Sequence, residues 1–264
     1  DVLGQTCRAA GAALIEDAAS AFGAALGGRP AGTIGDAGFY SFHRGKQITS
    51  VTGGAWATRD PDLAGAIEAE AGTLPRVTVR ERVAILAKAV ALAWVVRPRV
   101  YGMLHRRLER FKDTTPHEEF ELHAYTAQQA GIVRSLLERM GAFIGARNER
   151  AGRAREILAD ADGIVLPAVP PDARPVFNHC PVLVPAGLRD RCIAAGLEIG
   201  VECTTLYSTT VYQAYGLDGG GDCPRAEELA DRLLLIPCHP LVPMWKLEQV
   251  TEAVRATVGR EGDA

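Results

Sequence analysis

Three short apolar segments near the start of the chain, bounded by glycines or acidic residues, constrain the fold more than any other feature. The first, Ala13 to Ile15, runs directly into Glu16 and Asp17, which is typical of a buried strand that ends in acidic residues. The second, Ala37 to Phe42, follows a loop rich in glycine and proline, and the third, Ala55 to Thr58, follows a glycine pair. Because helical patterns lie on either side of these strands, the sequence predicts an α/β protein.

Beyond the third strand, the sequence predicts several helices and then a smaller α+β region. Asp60 and Pro61 open a helix, because proline is tolerated at the first helical position, where its missing N–H costs nothing. A later helical pattern breaks near Pro98, since proline disfavours the helical conformation in the residue before it. The predicted helices cover 61–71, 77–111 with the break near 98, 126–159, 188–195 and a segment from about 246, and further strands cover 176–184 and 198–201.

Length and composition suit a globular protein of two domains, which we place at residues 1–160 and 161–264. With 23% charged residues and a net charge of −3, neither a disordered tail nor a general nucleic-acid binder is expected. The six cysteines form no C-x-x-C pair, so we expect reduced thiols in a cytoplasmic protein, and no metal site. The longest apolar run, 83–96, is shorter than the ~20 residues that cross a bilayer.

A basic segment stands out from this ordinary charge pattern. Residues 76–112 hold ten lysines or arginines against Glu81 and Glu109, a local charge of +8, which leaves −11 for the rest of the chain. Leu86 and Val90 are among the apolar residues interleaved with these charges. Two interpretations are open: a solvated face of a helical insertion, or a surface that contacts an anionic membrane or an anionic substrate.

Three chemically complementary side chains follow the predicted strands. Asp17 ends the first strand, Ser41 lies near the end of the second, and Lys46 follows five residues later in a loop with glycine. Because ligands of α/β proteins bind at the carboxyl ends of parallel strands, we expect the three to converge there. Such a trio suits pyridoxal phosphate, which needs a lysine for its imine, a carboxylate for its pyridine nitrogen and hydroxyl donors for its phosphate. The structural alternatives are a solvated Lys46, a helix-capping Asp17 and a merely hydrogen-bonded Ser41.

The same residues belong to a longer pattern. It comprises Ile-Glu-Asp-Ala-Ala at 15–19, Gly-Asp-x₄-Ser-Phe-His-x₂-Lys at 35–46, a glycine pair at 53–54, and further matches at 196–201, 223–230 and 235–240. In these motifs the chain resembles the DegT/DnrJ/EryC1/StrS family of sugar aminotransferases, which depend on pyridoxal phosphate. The resemblance implies an α/β protein of the pyridoxal phosphate-dependent transferase fold type I, like aspartate aminotransferase, with a partial large domain and a C-terminal α+β small domain.

The resemblance also assigns roles to individual residues. It implies that Lys46 is the catalytic lysine, which carries the cofactor as an imine, that Asp17 pairs with the pyridine nitrogen and that Ser41 contacts the phosphate. Ser20 stands where relatives often carry Gln or His beside the ring oxygen of the cofactor, and joins the expected cofactor-binding set. Val51 and the following threonine stand where relatives usually carry Gly-Glu. We expect His43 and His239 to be structural.

The same resemblance also identifies the two domains. Residues 1–160 would be the C-terminal part of the cofactor-binding large domain, with a basic helical insertion at about 76–112, and residues 161–264 the small domain. Since the chain begins at Asp1 in a sequence typical of the middle of a domain, we expect it to be the C-terminal two-thirds of a family member.

The implied function is transfer of an amino group from an amino acid, which we expect to be glutamate, to a nucleotide-linked keto-sugar. We expect a cytoplasmic homodimer of polysaccharide biosynthesis that binds no nucleic acid. The alternative is a non-catalytic or truncated homologue that acts as a structural subunit of a heterodimer. A pyridoxal phosphate-dependent sugar dehydratase is disfavoured, because those relatives replace the lysine with histidine and Lys46 is present.

Overall fold

The computed structural model describes residues 2–108, 122–206, 209–216 and 223–262, and the chain divides into two units. Unit 1 comprises Asp1–Ala142 and Pro171–Val176, and unit 2 comprises Phe143–Pro170 and Phe177–Ala264. The boundary between residues 160 and 161 stays a prediction. Residues 109–112 of the basic segment lie outside the described residues.

Along the described chain, α1 is followed by five strands and then by five helices, and the remaining strands and helices are mixed. The helices are α1 (Val2–Ala9), α2 (Pro61–Thr73), α3 (Val79–Val95), α4 (Pro98–Leu108), α5 (Ala127–Leu137), α6 (Met140–Leu158), α7 (Arg189–Ile199), α8 (Val211–Tyr215), α9 (Pro224–Arg232) and α10 (Met244–Gly262). The strands are β1 (Ile15–Asp17), β2 (Ala25–Leu26), β3 (Arg29–Pro30), β4 (Ala37–Ser41), β5 (Gly54–Thr58), β6 (Ala173–Arg174), β7 (His179–Leu183) and β8 (Leu233–Pro237).

The central sheet of unit 1 has the order β1-β4-β5. Strands β1 and β4 run parallel, with Ile15 opposite Ala37 and Asp17 opposite Phe39, whereas β5 runs antiparallel to β4. The predicted burial of the first strand is wrong, since the Ile15 side chain is 57% exposed. The reason is that β1 pairs on one side only in the described part of the chain, at the edge of this sheet.

Two predicted elements differ from the structure. The single helix expected over 126–159 is interrupted at Glu138 and Arg139, where the Arg139 N–H bonds to the Leu136 carbonyl three residues back at 3.1 Å. The strand expected at 198–201 is instead the end of α7 and the turn after it. Gly200 has a φ of 78°, a left-handed conformation that closes the helix there at little cost.

Unit 2 packs β7 and β8, an antiparallel pair, against helices that include α6, α7 and α10. Its core contains fully buried aliphatic side chains, namely Leu158, Val182, Val184, Leu234, Ile236, Leu247, Val250 and Val254. Four of the six free cysteines share this core, and burial raises the pKa of Cys180 and Cys192 to about 11 and that of Cys203 and Cys238 to about 12. These thiols are therefore protonated and act as small apolar groups.

A buried arginine ties α6 to the chain that enters β7. The Arg147 Nη1 atom donates to the carbonyls of Phe177 and Asn178 at 3.2 and 3.0 Å. Nearby, His239 Nδ1 accepts from the Leu241 N–H at 3.1 Å, and burial, aided by neighbouring arginines, lowers the pKa of His239 to about 4. This geometry suits the structural role predicted for His239. Within the described residues, no three His, Cys, Asp or Glu side chains gather as metal ligands.

Candidate active site

The carboxyl ends of β1 and β4 lie at one edge of the unit 1 sheet, because the two strands are parallel. β1 ends at Asp17 and β4 ends at Ser41, two residues beyond the partner of Asp17 in the register. The sequence-based prediction placed a ligand site at such an edge. The strands therefore carry a carboxylate and a hydroxyl to the expected place.

The amine of Lys46 reaches the turn that follows β1. Its Nζ atom donates to the Ser20 hydroxyl oxygen at 2.6 Å, a contact between side chains 26 residues apart. The Gln47 side-chain amide donates to the Ser20 carbonyl at 2.5 Å, so consecutive residues of the lysine loop, residues 42–53 between β4 and β5, bond to the same residue. Lys46 is half-buried and Ser20 is exposed, which leaves the amine accessible to a ligand.

The other two predicted site residues bond to local backbone. Asp17 Oδ1 accepts from the Ala19 N–H at 2.9 Å, and the Ser41 hydroxyl accepts from the His43 N–H at 3.3 Å. In the described chain neither side chain hydrogen-bonds to Lys46. The turn from Asp17 to Ser20 nevertheless links the carboxylate to the amine through four consecutive residues. His43 is exposed.

The lysine loop is closed by hydrogen bonds at its base and held by α5. The Phe42 N–H donates to the Gly53 carbonyl at 2.8 Å. Gln129, which is 3% exposed, donates from Nε2 to the Thr52 carbonyl at 3.1 Å, while its Oε1 accepts from the Thr126 hydroxyl at 2.9 Å. The Tyr125 hydroxyl adds a bond to a serine hydroxyl of the loop. The loop that carries the amine is therefore fixed at both ends.

The same loop contains one residue in an unfavourable backbone conformation. Val51 has a φ of 78°, in the left-handed region that β-branched residues rarely occupy, and its side chain is 5% exposed. Such a conformation persists only where the surrounding contacts impose it, and it is typical of functional loops. Here the Val51 N–H donates to the Thr49 hydroxyl at 3.1 Å, and Gln129 of α5 bonds to the adjacent Thr52.

A second loop, residues 31–35, lies over β4 and is organised by Glu16. The Glu16 carboxylate accepts from the backbone N–H groups of Gly32 at 2.9 Å, of Gly35 at 2.6 Å, and of Ile34. Gly38 is required beneath the loop, because a Cβ there would overlap the carbonyl of Gly32. Glu16 thus positions the loop, whereas the adjacent Asp17 accepts a hydrogen bond within the described chain through one oxygen only.

We expect Glu16→Gln to destabilise this loop, because the amide nitrogen replaces one acceptor oxygen and leaves a backbone N–H without its partner. The cost should be about 1–3 kcal/mol, or about 5 °C in Tm. Hydrogen exchange at the amides of Gly32, Ile34 and Gly35 should accelerate. Glu68→Gln, an exposed change of the same kind on α2, should change neither the Tm nor the exchange rates. Equal changes in the two variants would show that Glu16 does not organise this loop.

Sequence reasoning missed the residues that support Lys46. Gln47 and Gln129 are both buried, and their side-chain amides donate hydrogen bonds to backbone carbonyls that are far from them in sequence. For Gln129 a signal exists, since Thr126 and Gln129 form a capping box of the kind that a T-x-x-Q pattern predicts. For Gln47 nothing in the local pattern distinguishes it from a solvated loop residue.

The comparison with known proteins agrees with the motifs. The family model described as "DegT/DnrJ/EryC1/StrS aminotransferase family" matches residues 1–255. A dTDP-3-amino-3,4,6-trideoxy-alpha-D-glucose transaminase from Micromonospora megalomicea subsp. nigra is 29% identical over 258 residues, covering 94% of this chain and 59% of that protein. A dTDP-4-dehydro-2,3,6-trideoxy-D-glucose 4-aminotransferase from Saccharopolyspora spinosa is 26% identical, covering 96% and 60%.

A solved structure shares the fold. The aminotransferase TlmJ from Streptoalloteichus hindustanus superposes with a TM-score of 0.73 at 24% identity, covering 98% of this chain and 62% of that one. The predicted α/β architecture of the aminotransferase type is thus confirmed at the level of the fold. This chain spans less than two-thirds of the length of these relatives.

Proposed function

Because the chain belongs to the DegT/DnrJ/EryC1/StrS aminotransferase family, we propose that the protein transfers an amino group from an amino acid to a nucleotide-linked keto-sugar with the help of pyridoxal phosphate. The observation that carries the proposal is the contact of the Lys46 amine with Ser20 at the strand edge where Asp17 and Ser41 end β1 and β4. Glutamate is the amino donor that we propose.

The side chains at this edge fit the cofactor chemically. They comprise a primary amine, a carboxylate and two hydroxyls, and the amine and carboxylate belong to segments joined through Ser20. Bound pyridoxal phosphate supplies an electron-withdrawing ring that stabilises negative charge on the substrate carbon. The residues around it would bind and orient that ring, and would accept and donate protons.

Each residue has a distinct task in the proposal. Lys46 anchors the cofactor and then moves a proton as a general base and acid. Asp17 would hold a proton at the pyridine nitrogen through the carboxylate oxygen that does not accept from the Ala19 N–H. Ser41 would donate a hydrogen bond from its hydroxyl to the phosphate. Ser20 orients Lys46 by accepting from its amine.

We propose a homodimer, a cytoplasmic location and a role in polysaccharide biosynthesis as the setting. The amino position on the sugar stays open, since the names of two relatives place it at carbon 3 and carbon 4. The alternative of a non-catalytic or truncated subunit of a heterodimer is not favoured, because the family match runs through the residues that suit catalysis.

A direct assay tests the function. The purified protein with pyridoxal phosphate and glutamate should convert a dTDP-linked 3- or 4-keto-6-deoxy sugar into the amino sugar, with 2-oxoglutarate formed in equal amount. Mass spectrometry detects the replacement of the keto oxygen by an amino group. Nitrogen from ¹⁵N-glutamate should appear in the product, and ¹⁵N-labelled glutamine serves as the competing donor. Formation of neither amino sugar would contradict the proposal.

A further inference from the structure

Helix α3 exposes an apolar face along its whole length. No residue of this helix is buried, and the exposed face consists of Val79, Val83, Leu86, Val90 and Trp94, spaced by three or four residues. The exposed fraction reaches 73% at Val79 and 55% at Trp94. On the other side of the helix, Ile85, Ala89 and Leu92 are only half-exposed. The helix therefore presents an apolar stripe outward, on the side opposite to its less exposed residues.

Basic side chains border this α3 stripe. Arg80 and Arg82 follow Val79 at steps of 100° and 300° around the helix axis, so one lies on each side of the stripe. At its C-terminal end, the Arg97 guanidinium lies 4.2 Å from the centre of the Trp94 ring, and Arg99 follows at the start of α4. From residue 76 to residue 108 the chain has eight basic residues and one acidic residue.

We propose that the α3 stripe and its basic border dock on the surface of an anionic lipid bilayer. An apolar stripe with arginines at its borders and a tryptophan at its end suits a helix that lies in the headgroup layer. The helix would insert Val83, Val90 and Trp94 among the acyl chain ends while the arginines pair with lipid phosphates. No described helix is long and apolar enough to cross a membrane, so the contact is peripheral.

The basic border and the apolar stripe together favour an anionic bilayer over a second copy of the chain and over a nucleic acid. A second copy of the chain docked face to face would bring two strongly basic borders together, which is electrostatically unfavourable. A nucleic acid would match the arginines, but the valines would gain nothing against a sugar-phosphate backbone. A bilayer with anionic headgroups satisfies both the apolar stripe and the positive border. This inference is independent of the proposed transaminase reaction.

Sedimentation with vesicles tests the proposal on the full chain. At low salt the protein should bind vesicles of phosphatidylcholine and phosphatidylglycerol at 7:3 and should bind pure phosphatidylcholine far less. The triple variant Arg80→Gln, Arg97→Gln, Arg99→Gln should weaken that binding by about tenfold or more. The matched control Arg59→Gln, Arg134→Gln, Arg139→Gln removes the same charge at exposed positions of unit 1 and should bind as the parent does.

Tryptophan fluorescence tests whether the α3 stripe is the surface that inserts into the bilayer. The chain has three tryptophans, and Trp94 and Trp245 are almost equally exposed, at 55% and 56%. On anionic vesicles the emission should shift to the blue; Trp94→Phe should remove the shift and Trp245→Phe should keep it. Because both side chains are exposed, we expect these conservative changes to preserve the fold.

Four outcomes would overturn the proposal. They are absence of binding to anionic vesicles, equal weakening in both arginine triples, persistence of the blue shift in Trp94→Phe, and a lower oligomeric mass of Val83→Ser, Val90→Ser in sedimentation equilibrium without lipid. The last would identify the stripe as a contact between copies of the chain.

Discussion

Lys46→Ala should abolish both aminotransfer and the covalent attachment of pyridoxal phosphate. The reason is that the attachment needs a primary amine, and the Lys46 amine is the one that lies against Ser20 at the strand edge. Borohydride reduction followed by trypsin makes the result specific. The chain has only four lysines, and a modified Lys46 blocks cleavage, so the label should appear on the peptide Gly45–Arg59, which absorbs through Trp56.

Lys46→Arg separates the charge of the side chain from its nucleophilicity. The guanidinium can still donate to the Ser20 hydroxyl, but it stays protonated and cannot form the covalent link. We therefore expect no attachment in this variant either, with a thermal stability closer to that of the parent. Label recovered on a peptide with Lys88, Lys112 or Lys246 instead would assign the reaction to another amine.

Asp17→Asn should lower turnover by about 100-fold or more while cofactor binding changes far less. The amide keeps an oxygen to accept from the Ala19 N–H, so the turn to Ser20 is preserved. It cannot hold the positive charge of a protonated pyridine nitrogen, and the ring then withdraws electrons poorly. Steady-state kinetics should show the loss in kcat, and equilibrium dialysis should show a near-normal Kd for the cofactor.

Asp36→Asn is the matched control for this change. Asp36 also accepts one backbone N–H, from Leu14 at 2.7 Å, but it precedes β4 at the opposite end of the strand from Ser41. If the substitutions only loosen β1, turnover should fall alike in both variants. If Asp17 is a partner of the cofactor, turnover should fall in Asp17→Asn and not in Asp36→Asn. Equal kinetics in the two variants would exclude Asp17 from the site.

The strands and the edge that carries the site could be predicted because short apolar segments, glycines and terminal acids are local signals. The helix starts were predictable for the same reason, since Asp60 caps α2 and Pro61 opens it. The strand proposed at 198–201 was wrong because Ile199 and Val201 flank Gly200 with the alternation of a strand. Gly200 is in fact a helix end, and its left-handed backbone is the physical reason.

The contacts that position Lys46 could not be predicted, because they join residues that local patterns do not relate. Lys46 meets Ser20 across 26 residues, and Gln129 reaches Thr52 across 77. Hydrophobic periodicity specifies which face of an element is buried, but it carries no information about the polar partner that a given side chain finds. The roles of Asp17, Ser20, Ser41 and Lys46 toward a cofactor stay predictions.

The hold of α5 on the lysine loop means that the conformation around Lys46 depends on residues outside the loop. A graft of residues 35–54 onto another sheet would carry Lys46 with its strand, its glycines and Val51. It would leave behind Ser20 and Gln129, which fix the amine and the end of the loop. Deprived of them, Val51 would be free to relax toward extended backbone and the loop would lose its shape. A designer who wants this amine in the same position must transplant both Ser20 and the first turn of α5 with it.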